Sequence, residues 1–125
     1  SSLAVFHGHP LNVFKELINT YTIKAVYTNH DYEPYARERD QEVKVLLDKH
    51  NIPFKTYKDH VIFEKEELVK SDGTPYVVYT PYMKLWKQTF KSLKLETHKT
   101  EDYFKNLIKI NNAPNLALNA IGFKK

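Results

Sequence analysis

The chain has 125 residues, 42% hydrophobic and 27% charged, with a formal net charge of +4, the size and composition of one folded domain facing water. Aromatic residues make up 14%, which argues against a disordered chain. The absence of cysteine excludes disulfides and thiolate metal sites, and no apolar run is long enough to span a bilayer, so a cytoplasmic setting without a membrane partner is expected.

Ser1 and Ser2 lead straight into Leu3-Ala4-Val5-Phe6, so further sequence is expected upstream. Leu3 to His7 is a short β-prone run. Gly8 permits a tight turn, and Pro10 suits the first helical position, where its missing N–H costs nothing. Leu11, Phe14, Leu17 and Ile18 then fall at helical spacing. Ile23, Ala25, Val26 and Tyr27 read as a second buried strand.

A longer helix opens at Pro34, with Asp31 and Glu33 where the helix dipole favours negative charge. Ala36, Val43, Leu46, Leu47 and His50 lie on or near one face. Glu33–Arg37, Asp40–Lys44 and Lys44–Asp48 are i,i+4 pairs of opposite charge. Asn51 suits the position just past the helix, and Pro53 prevents its continuation. Phe54 to Tyr57 and Val61 to Phe63 read as extended. Alternating strands and helices predict an α/β domain with parallel strands and crossover helices, of Rossmann-like, three-layer type.

Beyond Glu64 the pattern loosens. Ser71-Asp72-Gly73-Thr74 signals a turn, and Tyr76 to Tyr79 reads as extended. Thr80-Pro81 reads as an N-cap followed by the first helical residue. Tyr82, Trp86, Phe90 and Leu93 form one stripe of the helix that follows, and Lys84, Lys87, Lys91 and Lys94 another. A short helix is expected around Asp102 to Ile110, then a linker at Asn111-Asn112-Ala113-Pro114. Residues 1–83 hold ten Lys and Arg against twelve acids, whereas residues 84–125 hold nine Lys against three. The basicity therefore belongs to the end of the chain, where a solvated face is the expectation and nucleic-acid contact the alternative.

Several chemistries find no support. His7 and His9 alternate without an obvious third ligand, so no metal site is expected. Gly8 stands alone and makes no dinucleotide fingerprint. There is no Walker motif, nucleophile elbow or Ser/His/Asp arrangement, and no catalytic residue is assigned.

Two stretches carry a resemblance. Tyr27-Thr28-Asn29-His30-Asp31-Tyr32-Glu33-Pro34-Tyr35-Ala36-Arg37-Glu38-Arg39-Asp40 resembles the photolyase–cryptochrome pattern. There a strand ends at Asn, an acidic-aromatic loop follows, and the helix opens Glu-Pro-Tyr before Arg-x-Arg-Asp. Val61-Ile62-Phe63, Asp72-Gly73-Thr74-Pro75-Tyr76 and Val78-Tyr79-Thr80-Pro81-Tyr82 with Trp86 resemble the end of that family's α/β domain and the start of its link to a helical domain. The resemblance covers essentially the whole chain.

It implies an N-terminal α/β domain over residues 1–83, with a mostly parallel sheet that lacks the family's first two strands. Residues 84–125 would be an interdomain helix and linker. Leu3–His7 would then lack a neighbour and form an exposed edge inviting self-association. The implied whole protein is a deoxyribodipyrimidine photolyase, which uses FAD and light to repair cyclobutane pyrimidine dimers. FAD and damaged DNA would be held by a C-terminal helical domain, the chain's implied partner, and the 125 residues alone would not be catalytic. The implied role here is to hold or frame an antenna pigment (deazaflavin, flavin or folate) at the carboxyl edge of the sheet. Asn29, Asp31, Glu33 and Tyr35 are the candidate contacts, and helix capping is the competing role for Asp31 and Glu33. Folate-binding members carry Glu where Ala36 stands, which counts against folate. Arg37, Arg39 and Asp40 are expected to be structural. The Tyr82–Trp86–Phe90–Leu93 stripe is expected to pack on the helical domain, and the lysines beside it to be solvated. A cryptochrome-type photoreceptor without repair, or a stand-alone nucleotide-binding α/β module, are the alternatives.

Overall fold

In the computed structural model, which describes residues 3–94, 97–108 and 116–124, Pro10 opens α1 (Pro10–Thr20) at its first position, as its locked φ and absent N–H favour. Strand β1 (Val26–Asn29) follows, then α2 (Pro34–Lys49), again with Pro at its start, and β2 (Phe54–Tyr57). The strands pair in parallel, Val26 with Phe54 through Asn29 with Tyr57. A parallel pair needs a crossover of a dozen or more residues, and α2 supplies it. The domain is α/β, with a two-stranded sheet among the described residues.

The chain divides into two units, residues 1–57 with 100–125, and residues 58–99. In the first, Val43 and Leu47 of α2 and Ile52 after it form the core. Phe14 and Ile18 of α1, Ile23, and Val26 and Phe54 of the strands pack against them. Leu47 has 0% of its surface exposed. Strand periodicity therefore turns Val26, Thr28, Phe54 and Thr56 to one face of the sheet, on the core side, and Tyr27, Asn29, Lys55 and Tyr57 to the other.

The end of α2 follows backbone chemistry closely. Asn51 takes a left-handed φ of 55°, a conformation that Asn tolerates better than most residues. The Ile52 N–H then returns to the Leu47 carbonyl at 3.0 Å, and Pro53 keeps the chain extended. Of the expected charge pairs, Lys44 Nζ and Asp48 Oδ2 meet at 3.0 Å. Asp40 turns instead to its neighbour Arg39, whose Nη2 lies 2.8 Å from Oδ1.

In the second unit, α3 (Tyr79–Ser92) begins at Tyr79 rather than at Pro81. A helix leaves its first few N–H groups without internal partners, so proline is tolerated throughout the first turn. Before it, Gly73 at φ 80° closes a turn in which Asp72 Oδ1 accepts from the Thr74 N–H at 2.9 Å and from its hydroxyl at 2.6 Å. Those bonds stabilise the Asp72 carboxylate and hold its pKa below the usual range. Trp86 meets Phe63 edge-on at 5.6 Å and stacks on Phe90 at 5.0 Å. Leu68 is buried in this unit. Lys58 Nζ donates to both oxygens of Glu67, at 2.6 and 2.7 Å.

Three expected extended runs do not form strands. Leu3–His7, Val61–Phe63 and Tyr76–Tyr79 join no ladder; Tyr79 instead opens α3, and Leu3–His7 lacks a partner as the missing family strands imply, with Leu3 85% exposed. A strand exists only as half of a pair, so β-prone side chains alone do not make one. The helix expected from Asp102 is a 3₁₀ segment, Thr100–Asn106, and a second runs Leu118–Ile121. Ile110 and the expected linker at Asn111–Pro114 lie outside the described residues. Among the described residues, no helix is long and apolar enough to cross a membrane.

Candidate functional site

Parallel pairing brings the carboxyl ends of both strands side by side, because Asn29 and Tyr57 are register partners. The ladder runs one residue further, with the His30 N–H donating to the Tyr57 carbonyl at 2.7 Å. His30 Nε2 also sits 2.9 Å from Thr56 Oγ1. His30 thus ties the two strand ends together through both backbone and ring. On the face turned away from the core, Tyr27 and Tyr57 stack with ring centres 6.3 Å apart and planes 14° from parallel. Lys55 Nζ lies 5.5 Å from the Tyr27 ring centre, within cation–π range.

Of the residues read from sequence, Asn29 ends β1 with its side chain exposed. Asp31 follows His30, and its Oδ1 accepts the Glu33 N–H at 3.2 Å, an Asx turn leading into α2. Glu33 is the N-cap residue, but its carboxylate makes no capping bond. The Glu33 carbonyl accepts from the Arg37 N–H at 3.0 Å as the first bond of the helix, and Asp31 shapes the chain just ahead of it. Tyr35 stands in the first turn of α2, 63% exposed. Ala36, the next residue, turns inward and is 3% exposed. Asn29, Asp31, Glu33 and Tyr35 are therefore successive stations along the strand-to-helix connection.

Arg39 lies one turn further into α2. Its hydrogen bond to Asp40 is the main cause of a raised guanidinium pKa; partial burial opposes the shift, and the negative charges of Asp40 and Asp31 add to it. Asp31 therefore contributes both a hydrogen bond to the start of α2 and a field along its first turns. Chemically, this edge offers an amide, two carboxylates, a phenol and an imidazole already engaged with a hydroxyl. These groups are hydrogen-bond donors and acceptors side by side at one sheet edge.

Sequence reasoning did not single out His30, Thr56 and Tyr57 as neighbours of this edge. The signal was available in the parallel pairing itself, since whatever ends the second strand lies beside whatever ends the first.

The chain matches the DNA photolyase family model over residues 1–102. It is 45% identical over 64 residues to a deoxyribodipyrimidine photo-lyase of Alkalihalophilus pseudofirmus, covering 51% of this chain and 13% of that protein. Over 97 residues it is 31% identical to a deoxyribodipyrimidine photo-lyase of a Synechococcus species, covering 78% of this chain and 20% of the relative. It is 26% identical over 86 residues to Cryptochrome-1 of Gallus gallus, covering 68% of this chain and 14% of the relative. In each of these three comparisons the chain spans a fifth or less of the relative's length. The family match covers most of the chain, including both strands, their crossover helix and the whole strand-to-helix connection, and the chain belongs to the DNA photolyase family, together with its cryptochrome relatives.

Proposed function

We propose that this chain is the N-terminal domain of a deoxyribodipyrimidine photolyase, a flavoprotein that uses light to split cyclobutane pyrimidine dimers in DNA. Residues 1–83 form its α/β domain, and residues 84–125 lead toward a helical domain that binds FAD and the damaged DNA. The observation that carries this reading is the family match through the strand-to-helix connection, with 45% identity over 64 residues to a photo-lyase. The similarity to Cryptochrome-1 supports a second reading, a photoreceptor of the same architecture without repair.

The role of the chain itself is to frame an antenna pigment at the carboxyl edge of β1 and β2, the position where open α/β sheets bind ligands. When bound, such a pigment absorbs near-ultraviolet or blue light and passes the energy to the flavin. The residues fit a heterocycle that hydrogen-bonds. The Asn29 amide both donates and accepts, the Tyr35 phenol does the same, and the Glu33 carboxylate is not used by the helix cap. Asp31 keeps the connection in shape through the Glu33 N–H. Ala36 is buried and apolar, so it offers a folate no carboxylate; a deazaflavin or flavin suits this edge better.

The test is an absorption spectrum of the full-length protein after gentle purification, with light-dependent dimer repair measured on the same sample. FAD, a second near-ultraviolet or blue absorber and repair are expected, and Asn29→Ala should lower the content of the second absorber while FAD stays. Flavin without repair would replace the photolyase by the photoreceptor reading. A stably folded parent without flavin would refute both.

A further inference from the structure

The lysines of α3 point to a second role. The helix carries no aspartate or glutamate, and Lys84, Lys87 and Lys91 all lie exposed. At about 100° per residue they fall within an arc of roughly 60°, centred about 130° around the helix from Tyr82, Trp86 and Phe90. The aromatic side is partly engaged inside the same unit, although Tyr82 and Phe90 keep 36% and 38% of their surface exposed. Phe63 covers the Trp86 ring edge-on, Phe90 stacks on it, and Tyr76 lies 6.2 Å from Tyr82. An amphipathic helix that lies in a membrane needs that apolar face free. The face of α3 without aromatic neighbours is instead the cationic one, and its complement is a row of closely spaced negative charges.

We propose that Lys84, Lys87 and Lys91 contact the phosphate backbone of duplex DNA as a sequence-independent electrostatic grip. This rests on the photolyase reading above. From Lys84 to Lys91 the helix rises about 10 Å, and a DNA strand presents about three phosphates over that axial length. The three ammonium groups thus match one strand edge in number and spacing. Such contacts carry no sequence information, but they hold the protein on DNA and act mainly through counterion release. Phosphate recognition of this kind needs charge rather than a shaped pocket, so arginine substitutes for lysine.

The experiment measures binding of the full-length protein to an undamaged duplex, and to the same duplex carrying one pyrimidine dimer, over a series of salt concentrations. Wild type is compared with K84Q/K87Q/K91Q and with K84R/K87R/K91R, after circular dichroism has shown that each is folded. Three lost contacts should flatten the slope of log K against log salt by about 2 to 3 on both duplexes. The arginine variant should keep the wild-type slope, and preference for the dimer should persist in all three proteins. An unchanged slope in the glutamine variant overturns the proposal. Lysine-dependent binding to phosphatidylserine vesicles with an unchanged DNA slope overturns it in favour of a membrane surface. Loss of dimer preference in the wild type would count against the photolyase reading alone, because the slope difference on undamaged DNA would still stand.

Discussion

Leu47→Ala tests the rotational setting of α2, on which the candidate site depends. The substitution removes three carbons from a side chain with no exposed surface. At about 0.8 kcal/mol per buried methylene, the transfer contribution is about 2.4 kcal/mol. The residual cavity between α1, α2 and the sheet adds to it, giving about 3 kcal/mol in all. With an unfolding entropy near 2.1 cal/mol/K per residue, that corresponds to a fall in Tm of about 11 °C for a chain of this length. Leu46→Ala is the control. Leu46 is next in sequence, about 100° around the helix and only half-buried, so its loss should cost about 1 kcal/mol. Urea and thermal unfolding followed by far-ultraviolet circular dichroism measure both. Ala36 lies within about 20° of Leu47 on the helical wheel, so the same setting turns Ala36 inward and leaves Tyr35 exposed. If Leu46→Ala cost as much as Leu47→Ala, α2 would be rotated from the position described and the assignment of inward and outward residues at the site would fail.

Two further predictions concern local structure. The Glu64 N–H, first, and Lys58, second, hold the Glu67 carboxyl below its ordinary pKa of 4.5. A carboxylate whose pKa is lower in the folded state stabilises that state above its unfolded pKa, and the contribution disappears as pH falls through the folded value. Amide exchange over residues 58–67, corrected for its intrinsic pH dependence, should therefore show weaker protection below pH 4.5. Glu67→Gln should remove most of that pH dependence, and an unaltered profile in the variant would refute the assignment. Asn51 provides the second case. Asn51→Gly should be neutral or stabilise by up to about 1 kcal/mol, whereas Asn51→Val should destabilise by about 1–2 kcal/mol, because a β-branched residue is strained at φ 55°. Equal midpoints for the two variants in chemical denaturation would contradict the left-handed backbone there.

The parts of the fold legible in the sequence are those that backbone chemistry dictates. Pro34 marks the start of α2, Asn51 and Pro53 mark its end, and Asp72-Gly73 marks a turn, each through a conformational constraint local to one or two residues. The parallel pairing of β1 with β2 followed from the strand–helix–strand order. Leu3–His7 read as a strand because its composition is β-prone, yet a strand is a property of two segments and no described segment pairs with it. Asp40 looked set for Lys44, but the adjacent Arg39 guanidinium reaches it with two nitrogens, Nε and Nη2, that converge on Oδ1. Lys58 and Glu67 gave no sign at all, since nine positions across irregular chain match no helix or strand period. At the candidate site, the sequence indicated two acids before a helix. It did not indicate that Asp31 would take the hydrogen bond while the Glu33 carboxylate stayed outside the cap.

The register of the two strands also sets an order of assembly. Each ladder partner lies 28 positions from the other, as Val26 does from Phe54, and the intervening α2 is built from contacts three and four residues apart. Closing the long loop costs chain entropy before any ladder bond offsets it. A preformed α2 shortens that search, because it replaces sixteen flexible residues by a rod about 24 Å long. The Tyr27–Tyr57 stack and the His30–Thr56 contact can form only after that closure. The carboxyl edge of the sheet is consequently completed only once the crossover has closed, and any ligand that binds there stabilises the finished crossover.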